Sequence, residues 1–167
     1  MMTGPDRERR VGEIRIASGV DVAVAPQRAW DVVADFARNP EWQAGMRSCT
    51  WLTPPPVRPG SRYQQEARFL GRPITTMFEV VALDEPGDDG HGSITISSIA
   101  STFPLEITRT VAPTPRGCRI GADVAGHPDG WTAWLGPLLA RMVQRSVDGD
   151  YRRLRSLLED DPDPGTA

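Results

Sequence analysis

Between Met46 and Gly126 the chain passes through six strand-like stretches whose connecting links are too short for a crossover. They are "MRSCTWL", residues 61–70, residues 73–83, "SITISSIAS", "LEITRTVA" and "CRIGADVAG". The links between them are "TPPPVRPGS", the turn "LGRP" (Leu70 to Pro73), the acidic loop "DEPGDDGHG", Thr102-Phe103-Pro104 and "TPRG". A parallel neighbour needs a connection of about a dozen residues, so strands joined this tightly must pair antiparallel, as a meander. A seventh strand precedes them. Over residues 14–24, Ile14, Ile16, Ser18, Val20, Val22 and Val24 alternate onto one side, the period of a strand with one buried face.

Two helical features bracket the meander. After the first strand, Pro26 suits the first turn of a helix, and Trp30, Val33, Ala34 and Phe36 follow at roughly helical spacing. Asn39-Pro40 reads as its break, with a second short turn around residues 41–44. Asp31, Asp35 and Glu41 read as caps and surface charges. At the other end, from Trp131 to about Leu158, the period is helical again. Leu135, Leu138, Leu139, Met142, Val143, Leu154 and Leu157 gather on one side and Arg141, Arg145, Arg152 and Arg155 on the other. At about 1.5 Å per residue this helix is roughly 40 Å long, enough to cross a small sheet.

The 167 residues fit one domain, with 39% hydrophobic and 25% charged residues, ordinary values for a globular chain. A net charge of −3 offers no reason to expect nucleic acid as a partner. No apolar run reaches the roughly 18 residues of a membrane span, so stable membrane insertion is not expected. The charged start "MMTGPDRERRVGE" lacks the apolar centre of a signal peptide, and the expected location is cytoplasmic. Residues 1–12 read as a flexible tail and 160–167 as a disordered one. Cys49 and Cys118 lie far apart, and the chain has 2 histidines, so neither a metal centre nor a cofactor is expected. Monomer and homodimer, the latter through an exposed strand edge, both remain open.

The order strand, two short helices, six strands and a long helix, with the segments "VAPQRAWDVVADFARNPEW", "PGSRYQQEARFLGRPITTMFEVVALDEPG" and "YRRLRSLLED", resembles the helix-grip superfamily. This is the START/Bet v 1-like (SRPBCC) group that includes polyketide cyclase/dehydrase-like proteins. The resemblance covers residues 13–159 and implies an α+β helix-grip fold. A curved seven-stranded antiparallel sheet would wrap a long C-terminal helix, with two short helices after the first strand. It implies a hydrophobic small molecule held in an internal cavity, by a polyketide cyclase/dehydrase-like protein of secondary metabolism. The alternative is a non-catalytic carrier of a lipid, quinone or terpenoid, because this fold hosts many functions.

In proteins the chain resembles, the loops at one end of the sheet surround the cavity mouth. Here those are residues 70–73, 101–104 and 126–131, which puts Arg72, Phe103, Pro104, His127 and Trp131 near the entrance and His91 far from it. Candidate ligand contacts follow from the inward strand phase, the mouth and the helix: Tyr63, Gln65, Phe69, Thr76, Phe78, Phe103, Ile107, Trp131, Leu135, Leu138, Met142 and Ser146. One residue of that phase is anomalous. Arg109 sits between Ile107 and Val111, and a buried guanidinium needs a partner. Asp150, in the apolar arc of the long helix between Val143 and Leu154, is the candidate ion-pair partner. Arg109 as a ligand anchor and Arg109 as a surface charge are the other two readings. As catalytic groups, Arg109 would stabilise a developing enolate or alkoxide and Asp150 or His127 would take a proton. Tyr63, Gln65 and Thr76 would orient carbonyls.

Overall fold

The structure is a computed structural model that describes residues 14–69, 71–100, 104–126 and 136–160. The expectations for Phe103, His127, Trp131 and Leu135, for the side chain of Phe69, and for both terminal tails except Asp160 lie outside the described residues. Asp160 itself is the last residue of the final helix rather than part of a tail.

The elements follow the expected order: β1 (Ile14–Val22), α1 (Pro26–Val33), a 3₁₀ turn (Phe36–Arg38), α2 (Asn39–Trp42), β2 (Met46–Trp51), β3 (Arg62–Phe69), β4 (Arg72–Asp84), β5 (Gly92–Ala100), β6 (Leu105–Thr114), β7 (Gly117–Gly126) and α3 (Gly136–Asp160). The seven strands form one antiparallel sheet in the order β1-β7-β6-β5-β4-β3-β2. All are neighbours in the chain except β1 and β7, which pair from Ile14↔Gly126 to Val22↔Cys118. Register shifts between Met46 and Ser48, Met77 and Phe78, and Val80 and Ala82 mark bulges, each of which bends its strand and adds to the curl. This is the helix-grip fold.

The short helices differ from expectation in one respect. Asn39-Pro40 does not break a helix; it begins one. The first helix has already stopped at Val33, because Asp35 takes an extended backbone (ψ 94°) and its carboxylate accepts from Ala37 N at 3.1 Å. Pro40 lies in the first turn of α2, where its missing N–H costs nothing. Asp35 also accepts from Trp51 Nε1 at 3.1 Å, which ties this break to β2. The first strand, likewise, ends at Val22 rather than Val24.

These helices fill one end of the sheet's concave face. Trp30, Val33, Phe36 and Trp42 are buried there against Tyr63, Phe78, Val80, Val111 and Ile120, which point inward as the strand alternation requires. Tyr63 is stacked between Phe36 (centroids 4.6 Å apart) and Phe78 (5.4 Å), with Trp51 edge-on to both Phe36 and Tyr63. Helix α3 closes the concave face. Tyr151, Leu154 and Leu158 enter the core, while Ser18 donates to Asp148 at 2.6 Å and Gln144 donates to Ala17 O at 2.9 Å, fastening the helix to β1.

Candidate functional site

One strand phase serves two purposes at two heights. At the end filled by α1 and α2 the inward residues make solid core. Toward the other end the same phase has nothing packed upon it, and a cavity of about 350 Å³ remains between sheet and α3. Register places Ile14, Gly126 and Leu105 side by side at the height of the β5–β6 connection, with Ile16, Val124 and Ile107 one step deeper. Gln65 and Thr76 face each other across β3 and β4, above Tyr63 and Phe78. From the helix come Val143, Val147, Asp150 and Tyr151. The wall is overwhelmingly apolar, and its polar groups converge on the deep end.

Arg109 lies at that deep end, 3% exposed, so the inward reading of its phase is correct. Its Nη1 donates to Val33 O at 2.8 Å and to Asn39 Oδ1 at 3.0 Å. The guanidinium carbon stands 4.5 Å from the centre of the Phe36 ring and 5.0 Å from that of Trp42. Two carbonyl oxygens and two aromatic faces thus hold the cation, and Val33 O belongs to the negative end of α1. Among the described residues no carboxylate pairs with it. The Asp150 partnership is not formed: Asp150 Oδ1 instead accepts from Ala44 N at 3.0 Å and from Arg153 Nη1 at 2.6 Å. Asp150 faces the cavity wall, but its charge is compensated from the outside of the helix.

Tyr151 stands beside Arg109. Its ring meets Trp42 edge-on at 5.4 Å, and its hydroxyl and Trp42 Nε1 are both buried with no hydrogen-bond partner. Burial pushes the Tyr151 phenol up, and the neighbouring guanidinium pulls part of that shift back, although no hydrogen bond of good geometry joins the two. Burial likewise raises Asp150 above its ordinary value, against the opposing pull of Ala44 N and Arg153.

Of the residues expected from sequence, Gln65, Thr76, Ile107, Arg109 and Asp150 come together on the wall. Tyr63 and Phe78 lie one step past it, inside the aromatic stack. Leu138, Met142 and Ser146 are exposed instead, Leu138 at 61% and Met142 at 43%. The helix meets the sheet through Val143, Val147, Asp150, Tyr151, Leu154 and Leu158. At about 100° per residue, Leu138 and Met142 fall on the side away from that face and Ser146 on its flank. Sequence reasoning named Asn39 only as part of a helix break and did not place Asn39, Trp42, Gln43, Val147 or Tyr151 in the site. Nothing in the sequence pattern marks Asn39; only the fold, which buries its amide against Arg109, shows its role.

The chain's residues 13–159 match the family described as "Polyketide cyclase / dehydrase and lipid transport". The chain belongs to this family. No curated protein sequence matches it. Among solved structures, TTHA0849 from Thermus thermophilus is similar at 16% identity and TM-score 0.71, covering 87% of this chain and 96% of its own. The START superfamily protein from Mycobacterium smegmatis gives 16% and 0.70, with coverages of 87% and 97%. The di-domain ARO/CYC StfQ from the steffimycin biosynthetic pathway gives 18% and 0.71, covering 92% of this chain and 53% of its own. At such identities the likeness is one of fold. Membership of the polyketide cyclase/dehydrase and lipid transport family, together with the apolar cavity, supports hydrophobic-ligand binding. No helix among the described residues is long and apolar enough to cross a membrane.

Proposed function

We propose that this protein binds a hydrophobic small molecule in its cavity as a polyketide cyclase/dehydrase-like protein of secondary metabolism. The observation that carries the reading is Arg109, a buried cation at the deep end of a largely apolar wall. Aldol-type cyclisation or dehydration of a poly-β-carbonyl chain builds negative charge on a carbonyl oxygen, and a fixed guanidinium in a dry site stabilises such charge without reorganising. Gln65 and Thr76, opposite each other above it, would orient neighbouring carbonyls. Asp150, raised by burial, would exchange the proton from its place on the same wall, with His127 the other candidate base. Native mass spectrometry of the freshly purified protein, followed by extraction, tests the binding step. A bound poly-β-carbonyl or aromatic product is expected. Incubation with a polyketide synthase product then tests turnover, which Arg109→Leu should abolish.

A second reading, a carrier that performs no reaction, is favoured by one observation. Asp150 already holds Arg153 and Ala44 N, an arrangement that suits a structural carboxylate better than a mobile base. Under this reading Arg109→Leu changes which lipid, quinone or terpenoid is extracted and no substrate is turned over.

A further inference from the structure

The cavity wall carries an uncompensated charge. Of the two ionised side chains that line it among the described residues, Asp150 is paired with Arg153 at 2.6 Å, whereas Arg109 meets only neutral acceptors among them. Both of its hydrogen bonds leave from Nη1, so Nη2 and Nε donate to no acceptor among the described residues. The Tyr151 hydroxyl beside it is also without a partner. A phenol next to a cation turns its hydrogen away from that cation, so Tyr151 is a donor in search of an acceptor. A third orphan donor, Trp42 Nε1, sits in the same cluster but off the wall. Buried polar groups are nearly always paired in folded proteins, and here every unmet need is for an acceptor.

Building on the ligand-binding reading above, we propose that the cavity takes an amphiphilic carboxylic acid head-first, its carboxylate on Arg109 and Tyr151 and its apolar body toward the mouth. Such a head supplies what the cluster lacks: negative charge for the guanidinium and lone pairs for Nη2, Nε and the Tyr151 O–H. Arg suits this role because its planar fork matches a carboxylate. The body meets Ile107, Val124, Val143 and Val147 on the way out. The space also sets a size. At about 350 Å³ the cavity lies near the lower end of the roughly 300–1,000 Å³ usual for small-molecule sites. A single-chain acid of about ten carbons or a compact bicyclic one suits such a space.

Decanoate, decanol and decylamine present the same tail with an anionic, a neutral and a cationic head. Titration calorimetry with each, at neutral pH and below micelle formation, reads the head preference directly. Wild-type protein should bind decanoate roughly ten- to a hundredfold more tightly than decanol, with decylamine the weakest. Arg109→Met should bring decanoate and decanol to within about threefold, and Tyr151→Phe should cut the preference by a smaller factor. Equal affinity for decanoate and decanol, or a preference for decylamine, overturns the head-first acid and leaves cavity binding standing. Failure of all three to bind folded wild-type protein overturns the binding reading itself. Should Arg109→Met not fold, the wild-type series and Tyr151→Phe still decide: an unchanged ratio in Tyr151→Phe removes that residue from the head site.

Discussion

Arg109 Nη1 donates to Asn39 Oδ1 at 3.0 Å, so the buried charge of β6 is held by the first residue of α2. The amide's other end donates to Cys49 Sγ at 3.7 Å, which fixes its orientation with the oxygen toward the cation. Asn39-Pro40-Glu41-Trp42 therefore supplies both an acceptor and an aromatic wall to Arg109, linking the entry segment of the fold to the floor of the cavity.

Replacing Asn39 by Leu should destabilise the protein by about 2 kcal/mol or more, because a hydrogen bond to a buried charge is lost and its desolvation is not recovered. Urea unfolding measures this. Asn39→Asp is the informative companion. It keeps an acceptor in place but neutralises Arg109, so it should fold and lose the preference for an acidic ligand. Retention of that preference would show that the cation's charge does not select the ligand.

Tyr151→Phe should behave unlike most buried truncations. The hydroxyl has no partner, so its removal takes away a desolvated polar group and leaves the ring contact with Trp42 intact. Stability should stay within about 0.5 kcal/mol of wild type or rise by up to ~1 kcal/mol. A loss of 2 kcal/mol or more in urea would mean that the hydroxyl is satisfied in solution.

The strand faces were legible in the sequence and the heights were not. Alternation placed Tyr63, Gln65, Thr76, Phe78, Ile107 and Arg109 on the inner face, and all are there. Whether an inward residue lines a void or packs into core depends on what α1 and α2 put against it, and strand period carries no such information. Arg109 was visible as an anomaly because one charge in an apolar row violates the period. Its partner was not, since the pairing with Val33 O and Asn39 joins β6 to elements far back in the chain whose relative placement only the fold supplies. The helix face was misjudged for a related reason. Leu138 and Met142 are apolar, so the sequence shows a broader hydrophobic arc than the sheet covers.

Filling the cavity separates binding from folding. Val147→Phe adds a ring on the cavity side of α3, where open space receives it, so the melting temperature should hold or rise. Decanoate affinity should fall at least tenfold in calorimetry. Unchanged affinity would place the ligand elsewhere on the protein.

Asp150 gives a pH test whose sign is opposite to that of an ordinary ion-paired carboxylate. Burial raises it, and Ala44 N and Arg153 only partly offset that rise. A group whose folded pKa lies above its unfolded value contributes stability that is present below the unfolded pKa and lost as pH climbs through the folded one. Ionised Asp150 is therefore a cost at neutral pH. Asp150→Asn keeps an oxygen for Ala44 N and gives up the contact with Arg153, whose side chain is 52% exposed and whose pairing contributes little. The variant should gain stability relative to wild type as pH rises from about 3 to 7, through the range above the ordinary carboxylate pKa of roughly 4. Paired urea unfolding curves across that range read the difference. Were the wild type to gain on the variant instead, the contact with Arg153 would outweigh burial, and Asp150 would be an ordinary paired carboxylate.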